Sequence, residues 1–260
     1  MSLLFKLATR KPIILSQIVF ETVFSKQYDG MNKIKSLFYQ KVGAEIGGPS
    51  SFFNEQGYLP IYNLAASIDG CNFSNSTVWE GTIKEGNNYR YAPNKVGYQF
   101  ICDGVDVPLL PKDHYDFVLS CNNLEHIANP LKALQNWTLL LKQNGTMVLV
   151  LPRSDANFDH RRPITTFDHL LEDYNYNRGE DDLTHLPEIL KLHDLDFDHQ
   201  AGSYEDFKKR CEENYANRCL HHHVYNLEIL EQMCHFVQLK PIIVKKRACD
   251  YIFIAQKGTN

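Results

Sequence analysis

The chain has 260 residues, of which 43% are hydrophobic and 22% charged, and its formal net charge is −4. This length and apolar content suit one large α/β domain with a buried core. The slight acidity gives no electrostatic case for nucleic acid as a partner. Its apolar runs are far shorter than the ~20 residues of a membrane helix, and the N-terminus lacks a secretory signal pattern. We expect a cytoplasmic protein without a membrane span, of undetermined oligomeric state.

The seven cysteines are an odd number, and no two of them form a Cys-x-x-Cys pair. This usage is typical of reduced thiols packed as small hydrophobic residues, and it does not favour a disulfide framework or a zinc knuckle.

The apolar pattern of the first half predicts a helix followed by strands. Apolar positions in residues 13–38 recur at roughly helical spacing, which predicts a helical N-terminal segment within residues 1–40. Short, nearly continuous apolar runs follow, as expected for a parallel sheet that is buried on both faces. These predicted strands are Val42–Ile46, Tyr98–Cys102, Tyr115–Ser120 and Thr146–Leu151.

A helix is predicted between the last two of these strands. Asn129 can cap it, Pro130 suits its first position, and Asn144-Gly145 is expected to end it. A strand, a helix and a strand joined by short turns form a right-handed parallel crossover.

The C-terminal region predicts a helix capped by Asn226, followed by two strands, Lys240–Val244 and Tyr251–Ala255. The connection between these strands is so short that it can join them only as an antiparallel hairpin. With no repeat or linker in the sequence, we predict a single domain over residues 1–260.

Polar and glycine residues at the strand ends carry the functional signal, because open parallel sheets bind ligands at the carboxyl edge. The segment Glu45-Ile-Gly-Gly48 ends the first strand, and its glycines would let a ligand approach the backbone. The alternative is a tight turn without a ligand. The Gly-x-Gly-x-x-Gly fingerprint and the Lys-Ser/Thr pair of a phosphate loop are both missing, which disfavours dinucleotides and nucleoside triphosphates.

Two blocks resemble class I S-adenosylmethionine-dependent methyltransferases. Glu45–Ser50 resembles their motif I, with Pro49-Ser50 in place of part of the usual glycine pattern. Asp116–Pro130, continuing through Asn144–Pro152, looks like their strand 4, helix and strand 5. The resemblance implies a doubly wound, mostly parallel seven-stranded α/β sheet of order 3-2-1-4-5-7-6 with an antiparallel C-terminal hairpin. It also implies S-adenosylmethionine as the cofactor.

The resemblance further implies positions for the cofactor. Gly47 and Gly48 would pass beneath its methionine part, and Asp103 would bind the adenine amino group, unless Asp103 is only a turn residue. For the ribose we choose Asp69, with Asn63 and Glu80 as competitors. The predicted cofactor-binding residues are Glu45, Gly47, Gly48, Pro49, Asp69, Asp103, Asn122 and Asn123.

Residues 153–223 form an insertion, predicted to be helical and to lie as a lid over the acceptor. Eight of the eleven histidines fall in it. Thr165 with Asp168 resembles a capping box, which would start a helix that places His169 and Asp173 one turn apart on one face.

Three interpretations of this histidine-rich segment stay open: a structural polar network, an acceptor pocket with a histidine base, and a metal site. We assign no metal ligands, since the consecutive residues His221–His223 cannot all face one ion in a regular strand. Histidine suits the base at cytosolic pH. The candidates, in order, are His169 with Asp173 to orient it, His160 and His126.

These observations predict O-methylation of a polar small molecule. The pattern of residues 160–163 (His-Arg-Arg-Pro) and 169–174 (His-Leu-Leu-Glu-Asp-Tyr) resembles insertions in methyltransferases of surface-polysaccharide synthesis, and this resemblance implies a sugar or nucleotide-activated glycan acceptor. Arg161, Arg162 and Arg218 could pair with its phosphate. The alternatives are a catalytically inactive cofactor-binding partner protein and, less favoured, an NAD-dependent oxidoreductase.

Overall fold

The computed structural model describes residues 11, 14–16, 27–198 and 200–258. Within them, eight strands form one sheet in the spatial order β5-β6-β2-β1-β7-β8-β10-β9, and β3 and β4 pair separately. The strands are β1 (Val42–Ile46), β2 (Ser67–Asn72), β3 (Ser76–Thr77), β4 (Gly81–Thr82), β5 (Gly86–Ala92), β6 (Lys95–Ile101), β7 (Tyr115–Cys121), β8 (Leu141–Pro152), β9 (Leu239–Lys246) and β10 (Asp250–Lys257).

The helices lie on the faces of the sheet and in the insertion. They are α1 (Met31–Ile34), α2 (Pro130–Leu140), α3 (Phe167–Asn175), α4 (Leu186–Leu192), α5 (Tyr204–Glu212), α6 (Asn214–Asn217) and α7 (Leu227–Phe236). None of the helices within the described part has the length and apolarity needed to cross a membrane.

The strand order confirms the predicted fold class. The run β6-β2-β1-β7-β8-β10-β9 is the order 3-2-1-4-5-7-6, and β10 pairs antiparallel with both β8 and β9. The pairs β2–β6, β1–β2, β1–β7 and β7–β8 are all parallel. The sheet has one strand more than predicted, because β5 adds antiparallel to the edge of β6.

The structure describes only parts of the predicted N-terminal helical segment, so this prediction stays untested over most of its length. Residues 14–16 are helical, and residues 17–26 lie outside the described residues. Beyond them, only the single turn α1 and a 3₁₀ turn at Lys35–Leu37 form. Gly30 precedes α1 without a side-chain cap, and the Asp29-Gly30 pair is a typical turn sequence. Ile34 and Phe38 are nevertheless buried, which explains the apolar periodicity.

The crossover helix begins as predicted and ends earlier. The Asn129 side chain accepts a hydrogen bond from the Lys132 amide, and Pro130 occupies the first turn. The helix ends at Leu140, and β8 begins at Leu141, so Asn144-Gly145 lies inside the strand rather than at the helix end. Leu141 is already extended and fully buried, so core packing starts the strand before the turn-forming pair is reached.

The predicted caps of the other two helices have different outcomes. Asn226 caps α7 by accepting from the Ile229 amide, as predicted. The cap of α3 is Thr166, which accepts from the His169 amide, and not Thr165. The Thr165 hydroxyl instead accepts a hydrogen bond from the Val224 amide at 3.0 Å, which joins the start of α3 to residues 220–226.

The core lies on both faces of the sheet. On one face, Trp137 of α2 and Met233 of α7 pack on the strands, and on the other Phe38 and Phe53 do so. The insertion has a small cluster of its own, which contains Ile189, Phe207, Cys211 and Leu220. Burial on both faces explains the nearly continuous apolar strands. No disulfide joins the seven cysteines, all of which lie within the described residues.

Replacing Phe117 by alanine should destabilise the protein severely. Phe117 is fully buried in the central strand β7, and its ring packs edge-on against Phe38 at 5.3 Å between centroids. We expect Phe117→Ala to lower the free energy of unfolding by about 3–5 kcal/mol, measured by urea denaturation. Val244→Ala, on the 37% exposed edge position of β9, should cost less than about 1 kcal/mol. Similar losses in both variants would contradict this placement of the core.

Candidate functional site

A cavity of about 480 Å³ lies at the carboxyl edge of the parallel strands. This is within the usual range for small-molecule sites. The sheet edge contributes residues that follow four strands, and the insertion contributes most of the other wall. From the sheet edge come Gly47, Pro49, Ser50, Asn72, Phe73, Asp103, Asn122 and Asn123; from the insertion come Phe158, Glu180, Asp198, Gln200, Arg210, Arg218, Cys219 and His221.

The turn after β1 is held from below by the buried Glu45 carboxylate. The hydroxyls of Tyr62 and Tyr89 donate to it at 2.6 and 2.7 Å, and the Ser50 amide donates at 3.0 Å. Burial raises the pKa of Glu45 to about 7, although these hydrogen bonds lower it. Glu45 is not one of the residues that line the cavity, which corrects its prediction as a cofactor contact; it positions the turn that does.

The two glycines of this turn have different constraints. Gly47 has a φ of +79°, and a Cβ there would lie 2.6 Å from Asn123 Oδ1. A Cβ on Gly48 would lie 2.2 Å from the Glu45 carboxyl carbon. Gly47 lies on the cavity wall, whereas Gly48 packs on Glu45, and its carbonyl accepts from the Asn72 side chain at 2.9 Å. The predicted contact of Gly48 with a ligand is thus replaced by a packing role.

The structure corrects the choice of Asp69 for the ribose. Asp69 lies in the middle of β2, where its carboxylate accepts from the Tyr98 amide and the Tyr115 hydroxyl. The strand continues to Asn72, and that residue faces the cavity instead. Of the two competitors, Glu80 lies on the cavity wall. Asn63 lies elsewhere, and its carbonyl accepts an exposed hydrogen bond from the Lys95 ammonium.

Asp103 lies on the cavity wall after β6 and also shapes its own turn. Its Oδ1 accepts from the Val105 amide at 2.7 Å, and its Oδ2 lies 3.7 Å from the Arg218 guanidinium. Arg218 also pairs with Glu180 at 3.3 Å and covers the Phe73 ring. The turn function and the ligand function expected from the sequence are therefore both compatible with this position.

Asn122 follows β7 closely, with Asn123 next to it, and both line the cavity. This agrees with their predicted position, because β7 is strand 4 in the order 3-2-1-4-5-7-6. Asn122 has a φ of +47°, a left-handed conformation that asparagine tolerates, and its amide donates to the Val150 carbonyl at 2.9 Å.

Of the histidines that the structure describes, His126 and His221 lie on the cavity wall. Asp159 accepts from His221 Nδ1 at 2.6 Å, and Arg162 pairs with the other Asp159 oxygen at 3.1 Å. Burial lowers the pKa of His221, but Asp159 outweighs it and raises the pKa overall. The pKa of Asp159 falls to about 2 because its bonds to His221 and Arg162 outweigh burial.

His126 lies against His221, with the ring centroids 4.5 Å apart. Burial and the neighbouring histidines lower the pKa of His126 well below its usual value, which favours the neutral ring. Burial raises the pKa of the adjacent Glu125 to about 7. One ligand atom from each of Glu125, His126 and His221 lies within 4.8 Å of the others.

The other predicted base candidates lie away from the cavity, which corrects their ranking. His160 contacts the Asn157 carbonyl and Asp194. His169 and Asp173 do lie together, 3.3 Å apart, but they belong to a second cluster with His185 and His223. The helical spacing predicted the pair correctly; it could not show which wall of the fold the pair faces.

The arginines expected to bind a phosphate are mostly used within the insertion. Arg161 pairs with Asp194 at 2.6 Å, and the buried Arg162 binds Asp159 and Glu188. Of these three arginines only Arg218 lines the cavity. In the part of the chain that the structure describes, the wall carries the two arginines Arg210 and Arg218 and five carboxylates, which are Glu80, Asp103, Glu125, Glu180 and Asp198.

Several wall residues had no signal in the sequence. Asn72 and Phe73 were missed because Ser67–Asn72 is not a continuous apolar run, and no strand was predicted there. Trp79 follows the short strand β3 and lies 5.3 Å from His126 between ring centroids. Arg210 was missed because its place on the wall depends on the fold of the insertion. For His221, the available clue was the segment Asp159-His160-Arg161-Arg162. Its Asp159 carboxylate binds the His221 ring, and its Arg162 binds the His221 carbonyl.

The chain belongs to the family of methyltransferase domains, whose sequence model matches residues 42–241. The protein is accordingly an S-adenosylmethionine-dependent methyltransferase, and the alternative of an NAD-dependent oxidoreductase is overturned. No curated protein sequence matches the chain significantly.

Solved structures with a similar fold include methyltransferases of remote sequence. An S-adenosylmethionine-dependent methyltransferase from Mesorhizobium loti is 11% identical, covers 87% of this chain and 97% of its own, and has a TM-score of 0.48. An Aquifex aeolicus enzyme is 11% identical over 88% and 90% of the two chains, with a TM-score of 0.45. The Burkholderia thailandensis 1,6-didemethyltoxoflavin-N1-methyltransferase is 10% identical over 98% and 89%, with a TM-score of 0.44. Similarity this remote says nothing about the acceptor.

The buried Glu45 should make stability depend on pH. Its folded-state pKa of about 7 exceeds the ordinary glutamate value of 4.5, so the folded chain holds this proton over a pH range where the unfolded chain has lost it. The free energy of unfolding contributed by Glu45 should therefore fall by up to about 3 kcal/mol as the pH rises from ~4.5 to ~7.

We expect Glu45→Gln to remove this part of the pH dependence. Urea denaturation of both proteins at pH 5 and pH 7.5 measures it, with Glu55→Gln on the exposed surface as the control. A difference between wild type and Glu45→Gln that is the same at both pH values would refute the raised pKa of the buried Glu45 carboxyl.

Proposed function

We propose that the enzyme methylates a hydroxyl group of a neutral, polar small molecule such as a sugar, with His221 as the base. The observation that carries this proposal is the Asp159–His221 pair on the wall of the cavity that also contains the turn after β1. The link to surface-polysaccharide synthesis and the cytoplasmic location stay predictions from the sequence.

Methyl transfer from a sulfonium is an in-line displacement. The acceptor oxygen forms a bond to the methyl carbon while the carbon–sulfur bond breaks, and the sulfonium becomes a neutral thioether. The hydroxyl proton must go to a base. Because Asp159 holds His221 Nδ1, the other nitrogen, Nε2, is the one that can accept this proton. The buried carboxylate orients the ring and stabilises the imidazolium that forms.

The cofactor is assigned to the sheet side of the cavity. The turn of Gly47, Pro49 and Ser50 would hold its methionine part, and Asp103 its adenine amino group. We assign the ribose hydroxyls to Asn72 and Glu80, since these polar side chains lie on the wall where β2 ends. The acidic wall favours the cationic sulfonium over the neutral product.

The same wall favours an acceptor without a phosphate. Among the described residues, five carboxylates and two arginines face the cavity, and both arginines already pair with carboxylates, Arg210 with Asp198 and Arg218 with Glu180. Aromatic rings of Phe73, Trp79 and Phe158 supply apolar surface on which a sugar ring could pack. A neutral sugar therefore fits the charges better than a nucleotide-linked one.

Asp103→Ala should weaken cofactor binding with little effect on folding. Loss of a hydrogen bond to the adenine should cost roughly 0.5–1.5 kcal/mol, about tenfold at the upper end, in a calorimetric titration with S-adenosylmethionine. Asp106→Ala, an exposed aspartate of the same turn, is the matched control and should bind normally. Equal affinities in both variants would show that Asp103 is only a turn residue.

The base assignment predicts a loss of turnover without a loss of cofactor binding. Free hexoses and nucleotide sugars, tested in parallel by release of S-adenosylhomocysteine, identify a working acceptor, and the hexoses should react faster. On that acceptor His221→Gln should lower kcat about 10²–10⁴-fold and leave S-adenosylmethionine affinity nearly intact.

Asp159→Asn should fall between the wild type and His221→Gln, because the ring keeps a partner but loses the carboxylate. The control is His235→Gln, an exposed histidine at the end of α7. Near-normal turnover of His221→Gln would disprove the base assignment, and faster reaction of the nucleotide sugars would disprove the neutral acceptor.

A further inference from the structure

We propose that His169, Asp173, His185 and His223 form a zinc-binding site that cross-links three segments of the insertion. One ligand atom from each of the four residues lies within 4.8 Å of all the others. None of the four lines the cavity, so this site is separate from the proposed methyl-transfer site.

The nitrogen and oxygen atoms converge on one point. His169 Nε2 lies 3.0 Å from His185 Nε2 and 3.3 Å from Asp173 Oδ2, and His223 Nε2 lies 3.6 Å from the same Asp173 oxygen. Zinc bonds of about 2.0–2.1 Å in a tetrahedron place neighbouring ligand atoms about 3.3 Å apart. Three of the edges already have nearly this length, so only small side-chain rotations are needed to complete the set.

The local structure explains how these ligands come together. His169 and Asp173 are one turn apart on α3, and His185 directly precedes α4 without using its side chain as a cap. His223 lies in the segment before α7, which the Thr165–Val224 bond fastens to the start of α3. The Asp173 carbonyl accepts from the Asn129 side chain at 2.9 Å, which fixes this end of the helix against the sheet domain.

A polar network without a metal leaves the central acid unsatisfied. Asp173 is 3% exposed, and its Oδ2 finds no hydrogen-bond donor among the described residues although two histidine nitrogens lie close to it. A bond between His169 and His185 uses one proton and satisfies only that pair. A buried carboxylate oxygen without a donor is costly, and a cation between the four groups satisfies all of them at once.

The donor set selects zinc among the common divalent ions. Three imidazoles and one carboxylate suit a tetrahedral ion, whereas calcium and magnesium require more oxygen ligands. His223 is the ligand with a competing partner, because its Nε2 also lies 3.2 Å from the Ala128 carbonyl. Its ring must turn from that carbonyl to the ion.

The site is tested by metal binding, which does not depend on turnover. Protein stripped with a chelator is titrated with Zn²⁺ against a chromophoric competitor, and Co²⁺ is then used to report tetrahedral coordination by its visible spectrum. We expect one zinc per chain, a tetrahedral cobalt spectrum, and a rise in Tm on zinc addition, since a metal bound only by the folded state stabilises it.

The variants His169→Gln and His185→Gln should each weaken zinc binding by more than the ~10–100-fold that is lost when a group hydrogen-bonded to a metal ligand is removed. His169 is one-third exposed, so its variant should fold. Unchanged binding of S-adenosylmethionine by the variant is the check that it does. His235→Gln on the surface and His221→Gln in the cavity should bind zinc like the wild type. His221→Gln also separates this site from the Glu125, His126 and His221 group.

Either of two results would overturn the proposal: no zinc binding at micromolar metal, or zinc binding that survives both ligand variants. Loss of zinc only in His221→Gln would instead place the ion in the cavity and reject the cross-link.

Discussion

The buried Glu45 carboxyl is the constraint on which the cavity depends. It accepts hydrogen bonds from the Ser50 amide and from the hydroxyls of Tyr62 and Tyr89, and Tyr89 belongs to the edge strand β5. A carboxyl without these donors would be costly at this depth. One side chain thus fixes three parts of the chain: the strand β5, the segment around Tyr62 and the turn that follows β1. The edge strand that the sequence pattern did not predict has a function here, because it carries one of these donors into the core.

In the insertion, the buried charged side chains likewise bind one another. Arg162 binds Asp159, Glu188 and the carbonyls of His221 and His222, and Arg210 binds Asp198. Removing one partner of such a pair usually costs more than the pair contributes. The charges are therefore organised before a ligand arrives, which is what a catalytic wall needs, since groups fixed in advance do not reorganise during the reaction.

The sequence predicts those parts of the fold that depend on local signals. Continuous apolar runs identify the buried strands, and the short connection before Tyr251 requires the antiparallel hairpin. The turn at Gly47 is predictable because its conformation excludes other residues. Asp69 was chosen wrongly since Ser67–Asn72 lacks an apolar run, so the strand end could not be located. His169 was ranked first because helical spacing brings it to Asp173 whichever wall the helix faces, and the structure places it outside the cavity.

The three consecutive histidines show how one short segment connects the two sites. His221 turns to Asp159, His222 lies 3.6 Å from Glu180, and His223 lies 3.6 Å from Asp173. Because successive side chains point in different directions, the expectation that they could not share one ion holds, and each finds its own carboxylate. If His223 is fixed by zinc, the backbone two residues away is fixed with it. The proposed zinc would therefore restrict the position of the His221 ring although it lies outside the cavity, and preorganisation of the base would depend on the metal.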